Sequence, residues 1–221
     1  MSEPAEHPVE RFRRQLEGLA FFSAAAGLLV TDSAGPLPPF AFGGVMFVGH
    51  NLDSEIAFRR RLMSGRAHGG PDRPMLTWRN LYRLLDGAGL AAGDCFFTNA
   101  YVGLKAGDDP TGRFPGADDH GFRLWCRGFL EEQVAVMKPR ALATLGTGSR
   151  RFLSTMAPEL AAWASPRNPA PGVVRAHLGD HDFAAVAILH PSGYHGSFGR
   201  RRYRDCTGLE AEAALLRDAV A

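Results

Sequence analysis

The chain has 221 residues, 45% of them hydrophobic, and a formal net charge of +2. That is enough for one sizeable core, and too near neutral for charge alone to mark a nucleic-acid binder. Its three cysteines, Cys95, Cys126 and Cys206, are odd in number and widely spaced, which argues against a disulfide framework or a cysteine-only metal or iron–sulfur site and for a reducing compartment. The opening MSEPAEHPVERF lacks a basic and then apolar leader, and Leu19 to Val30 is short and broken by Gly27. The expectation is a soluble cytoplasmic protein, a monomer with no membrane partner.

In chain order, Val9 to Ala26 reads as a helix, and the Gly/Pro-rich stretch Ser33 to Pro39 divides it from the first strand. Together they form an N-terminal helical extension of about residues 1–39 on a single domain spanning 1–221. Val45 to Val48 is short, apolar and rich in β-branched residues, as a strand covered on both faces must be. Asp53-Ser54 is placed to cap a helix entering at Glu55. Ser64 to Pro74 reads as a loop before a helix starting near Thr77, with Trp78, Leu81, Leu84 and Leu85 on one face. Asp94 to Val102 is a second strand, and Lys105 to Asp119, dense in Gly, Asp and Pro, a long surface loop.

Phe122, Trp125, Cys126, Phe129, Leu130, Val134 and Met137 recur at helical spacing, predicting an amphipathic helix over Asp118 to Met137 that ends before Pro139. Arg140 to Leu145 is a third strand, turned by Gly146-Thr147-Gly148 into a helix over Ser149 to Met156. Gly146-Thr147-Gly148 lacks the lysine and glycine spacing of a nucleotide fingerprint, so a tight turn accounts for it. Val173 to Leu178 and Asp182 to Leu189 form a hairpin about Gly179-Asp180, and Glu210 to Val220 is a closing helix. This alternation is what a layered α/β domain requires.

Two apolar runs break abruptly into polar residues, Gly49-His50-Asn51-Leu52 after the first strand and His190-Pro191-Ser192-Gly193 after the last. Ligands of open α/β sheets bind outside the carboxyl ends of the strands, so both segments are placed to face one cleft. Phe97-Thr98-Asn99-Ala100 closes the second strand at the same end. These three segments, in this order, resemble the uracil-DNA glycosylase superfamily, whose first motif is Gly-x-[Asp/Asn/Ala]-Pro and whose second is His-Pro-Ser or Asn-Pro-Ser. The likeness covers about Ala41 to Arg204, and Gln133, Pro139 and Leu145-Gly146 sit like the helix, strand and turn of the thermophile-type branch. Leu52 stands where the family carries proline, and His50 where relatives carry Gln, Glu or Ile. The cluster cysteines of the thermophile-type branch are missing, so no cofactor is expected.

The resemblance implies a DNA glycosylase that hydrolyses the N-glycosidic bond of uracil or a related deaminated base by base flipping and water attack. DNA containing such a base is the implied partner, and the implied fold is a three-layer α/β/α sandwich around a central, mainly parallel, four-stranded sheet. Asn51 would position the attacking water, because an amide can orient a water but cannot take its proton. Asp53 is the nearest carboxylate and the alternative base. His190 would donate a hydrogen bond to the uracil oxygen on which negative charge collects. Asn99 offers donor and acceptor on one amide to read the base edge, and Gly49, His50, Ser192 and the stacking aromatic Phe58 would complete the base pocket. Tyr194, His195, Arg200, Arg201 and Arg202 lie in a Gly- and Arg-rich segment suited to wedging into DNA and holding phosphates.

Other readings stay open on the residues alone. A catalytically silent member could use the same cleft to bind nucleic acid or a free base. A serine hydrolase built on Ser192 lacks the Gly-x-Ser-x-Gly elbow. His177 and His181 have a metal-like separation but flank a hairpin turn with no third ligand nearby, so no metal is expected.

Overall fold

A computed structural model describes residues 42–57, 60, 76–109, 112–165, 172–193, 199 and 201–221. The N-terminal helix expected over Val9 to Ala26 lies outside the described residues. The central sheet comprises β1 (Val45–Ser54), β2 (Cys95–Lys105), β3 (Ala141–Leu145), β4 (Val174–Leu178) and β5 (His181–Ile188), in the spatial order β2-β1-β3-β5-β4. β2, β1, β3 and β5 are parallel to their neighbours in that order. The sheet has five strands rather than four, because the first arm of the Gly179-Asp180 hairpin pairs antiparallel with β5. The helices are α1 (Leu76–Ala88), α2 (His120–Met137), α3 (Gly146–Leu153) and α4 (Gly208–Val220), with a two-stranded ribbon of β6 (Arg202–Tyr203) and β7 (Cys206–Thr207) before the last.

Strand alternation sends side chains to two cores. Met46, Val48, Phe96, Leu142 and Phe183 meet Phe122, Cys126, Phe129, Leu130, Val134 and Met137 of α2 on one face. Val45, Phe47, Ala143, Val186 and Ile188 meet α1 and α4 through Leu81, Leu84, Leu85, Leu215 and Leu216 on the other. Each buried Leu or Phe contributes about 1.5–3 kcal/mol of burial free energy, which locks the register of every strand. The outcome is a three-layer α/β/α sandwich.

Local chemistry sets the element ends. Asp119 caps α2 by accepting the Phe122 amide at 2.8 Å, and Lys138 closes it in the left-handed region at φ 47°, ahead of Pro139. Asp119→Ala is expected to cost about 1 kcal/mol of stability, read as a lower urea midpoint with an unchanged slope. Ser54 Oγ accepts the Ala57 amide at 3.4 Å and donates to Asp108 O at 2.9 Å, so the cap expected at Asp53-Ser54 falls to Ser54. The 105–119 segment is not wholly a surface loop. Phe114 is buried and packs 5.6 Å from the Tyr101 ring, an apolar anchor that loop composition concealed.

The first strand also runs further than its apolar residues suggest. Beyond Val48, β1 continues to Ser54 by pairing with β2 alone, since its pairing with β3 ends at Val48 and Thr144. A register shift separates Asn51 from Asp53. His50 and Asn51 therefore ride on a one-sided strand extension beyond the β1–β3 pairing. This is the point where the strand order reverses, since β1 leads outward to β2 on one side and β3 follows on the other.

Candidate functional site

The register brings three predicted segments to one level. Gly49 pairs with Asn99, and Leu145 with Ile188, so the Asn99 side chain, the Gly49-His50-Asn51 segment, the Gly146 turn and His190 all leave the same edge of the sheet. The fit between them is close. A Cβ on Gly49 would overlap Asn99 Oδ1, and one on Gly148 would overlap the His50 ring, 2.7 Å from Cγ and 2.8 Å from Nε2. Gly146 has φ +85° and would meet His190 Cβ at 3.0 Å, so conformation and space both demand glycine there. Gly146-Thr147-Gly148 is thus the first turn of α3, earlier than expected, and lets two imidazoles approach its backbone.

His190 has a defined proton arrangement. The Ser192 amide donates to His190 Nδ1 at 3.2 Å, and Ser192 Oγ lies 2.6 Å from the same nitrogen. A backbone amide can only donate, so Nδ1 presents its lone pair and the neutral ring carries its proton on Nε2. Burial holds the His190 pKa below the usual 6.5, and the nearby His50 lowers it further. Ser192, expected at the base, has its hydroxyl turned to this ring.

His50 is held on three sides. Its Nδ1 lies 3.1 Å from Asn51 Oδ1, which can only accept, so His50 donates from Nδ1 and fixes the Asn51 amide. Tyr101 meets its ring edge-on at 5.3 Å, and Gly148 closes the other side. Burial lowers the His50 pKa, partly offset by the bond to Asn51. Both imidazoles are therefore neutral at pH 7. Protonating both would set like charges against each other, and protonating His190 would also turn an Nδ1 proton onto the Ser192 amide. Any activity that uses neutral His190 should hold through neutral pH and fall only below 6.5, measurable as an acid limb in kcat/KM. Stability should decline through the same window, because below 6.5 the unfolded chain takes up these protons before the folded one does.

Three partners missed in the sequence hold the backbone around His190. Asn80 of α1, buried, donates from Nδ2 to Pro191 O at 2.7 Å. Glu212 of α4 accepts the Leu189 amide at 3.3 Å, and Arg201 donates to Ala187 O at 3.1 Å. Arg201 Nε lies 3.1 Å from Glu212 Oε1, with the two side chains 13% and 0% exposed. Burial pushes the Glu212 carboxyl up to about 7, against the pull of Arg201 and the Leu189 amide.

Arg201 therefore departs from the expectation of a phosphate contact, because its guanidinium points inward to an acidic partner. Arg150 is likewise buried, donating to Ser165 O at 2.9 Å, and Arg204 is paired with Asp218 at 2.6 Å. Arg202 is exposed. Phe58, Tyr194, His195 and Arg200 lie outside the described residues, and Asp53 is described only by its backbone, which pairs with Leu104.

His177 pairs with Glu159 Oε1 at 2.6 Å, and His181 donates to Pro139 O at 2.9 Å, so the two serve separate partners. Among the described residues no three of His, Cys, Asp and Glu gather as a metal site. Cys95 and Cys126 are buried with thiols pushed up to about 12, which leaves them as core residues. No helix among the described residues is long and apolar enough to cross a membrane.

The polar side chains gathered at the reversal point of this open α/β sheet, including a neutral imidazole that presents a proton, stand where ligands of such sheets bind. Residues 41–206, about three quarters of the chain, match the model of the Uracil DNA glycosylase superfamily, and the chain belongs to that family of DNA glycosylase-like proteins. No curated protein matches the chain.

Proposed function

We propose that the protein hydrolyses the N-glycosidic bond of uracil, or of a related deaminated base, in DNA. The observation that carries this reading is the His190 ring, neutral and with Nδ1 engaged by Ser192 so that Nε2 bears the proton. When the bond between base and C1′ breaks, its electron pair leaves with the base, and negative charge collects on the base oxygen next to the broken bond. A preset N–H donor stabilises that charge without reorganising, the same physics as an oxyanion hole. The positive charge left on the sugar is quenched by water at C1′, oriented by the Asn51 amide that His50 holds in place. The water's proton passes to Asp53 or to solvent. Asn99, against Gly49, reads the N–H and carbonyl of the flipped base, with Phe58 stacking on it. Tyr194, His195, Arg200 and Arg202 face the DNA.

The test is to incubate the purified protein with single- and double-stranded oligonucleotides containing uracil, hypoxanthine or xanthine, in EDTA, and to score abasic sites by alkaline cleavage. Release of at least one base, slowed in Asn51→Ala, is the expected result. No release of any deaminated base, with salt-sensitive binding to the same oligonucleotides, would replace the proposal by a silent base-binding member.

A further inference from the structure

We propose that Asn80, Arg201 and Glu212 form a three-point clamp on the backbone of residues 187–191 that aims His190, so that these three are positioning residues for the reaction. The inference rests on the function proposed above and assigns roles to groups outside the family motifs. The residues come from three separate places: α1, the segment entering β6, and α4. Their polar atoms converge on the peptide units on either side of His190: Ala187 O and the Leu189 amide before it, and Pro191 O after it.

The clamp has a physical reason. His190 leaves the sheet where β5 has ended, so the peptide groups at Leu189 and Pro191 have lost their strand partners. A buried backbone polar group must be paired, and in this clamp side chains replace the missing ladder. Burying a carboxylate and a guanidinium is a costly way to do so compared with an apolar contact. What the ionic pair supplies is direction. Glu212 is also the acceptor for Leu189, and Arg201 also the donor to Ala187, so moving either strand-end peptide breaks a bond of a largely buried pair. Asn80 fixes the other side of the same turn through a bond of 2.7 Å. With both flanks held and Ser192 on Nδ1, the remaining freedom of the ring is small.

The test uses the full chain. Asn80→Ala and Glu212→Ala should each slow single-turnover excision of uracil by about 10- to 100-fold at saturating protein, with DNA affinity within about twofold of the parent. Glu212→Gln, which keeps an oxygen for the Leu189 amide, should return the rate to within about fivefold. In a His190→Ala background the two alanine substitutions should change the residual rate by less than about twofold, because the group they aim is gone. Equal losses in both backgrounds would make these residues structural and overturn the proposal, as would no loss in the parent or a Gln rate as low as the alanine rate.

If the parent releases no base, the proposed reaction fails, yet the clamp still has its own readout. Nitrogen-15 spectra of the His190 ring should show Nδ1 bare and Nε2 protonated in the parent, and a mixture of tautomers in Asn80→Ala and Glu212→Ala. An unchanged ring signature in both variants would overturn the clamp independently of any activity.

Discussion

His190→Ala is expected to lower the rate of base release by about 10²- to 10³-fold, the usual cost of losing one preset donor to a developing anion. The loss should appear in kcat more than in KM, because the charge on the base oxygen exists only as the bond breaks. The substitution should leave the fold intact. His190 stands past the end of β5, its ring bonds to Ser192, and a smaller side chain still satisfies the close approach to Gly146. His190→Gln makes the complementary measurement, since its amide offers a donor without an imidazole's shape or titration. It should recover part of the rate and lose the acid limb that His190 produces. A His190→Ala rate within about threefold of the parent would remove His190 from the reaction.

Gly49→Ala is expected to cost about 10²-fold in kcat/KM on uracil while leaving thermal stability nearly unchanged. The added methyl would overlap the Asn99 carboxamide, whose strand partner is Gly49 itself. Asn99 Oδ1 is the tip of a side chain, so the chain accommodates the methyl by swinging the amide aside, at little cost in folding. On the proposed function, that swing removes the pairing of donor and acceptor with the base edge. Sites built to hydrogen-bond their substrate discriminate strongly, because a mismatched base leaves buried polar groups unpaired. Selectivity between uracil and other bases should therefore narrow along with the rate. The check is a panel of oligonucleotides differing only in the target base, run beside a melting curve. Full activity in Gly49→Ala would mean that Asn99 does not read the base.

Much of this arrangement was legible in the chain. The apolar run Val45 to Val48, the run Ala184 to Leu189 and the periodicity of Phe122 to Met137 predicted strands and a helix that the structure contains, because burial on two faces or one leaves a period in the residues. The extension of β1 to Ser54 was not legible. Gly49-His50-Asn51 is polar, and its strand geometry comes from pairing with β2, a partner some 50 residues away. Phe114 was hidden for a similar reason, since a single aromatic among Gly, Asp and Pro has no period to betray its burial.

The site divides in the same way. Glycine, histidine and asparagine at strand ends were visible as motifs, because abrupt polarity after an apolar strand is a local pattern. The inward turn of Arg201 and the roles of Asn80 and Glu212 were not. Arg201 stands in an arginine run that reads as a DNA-facing patch, and its acidic partner follows in a helix where a glutamate looks like an ordinary surface residue. Asn80 reaches Pro191 across 111 positions. By itself, then, the sequence determined the strands, the helical faces and the chemical groups available at the carboxyl edge of the sheet, since each depends on neighbours along the chain. The tertiary structure decided which of those groups are aimed at a ligand and which are spent holding the backbone beneath it. That choice depends on burial and on donors and acceptors meeting across distant segments.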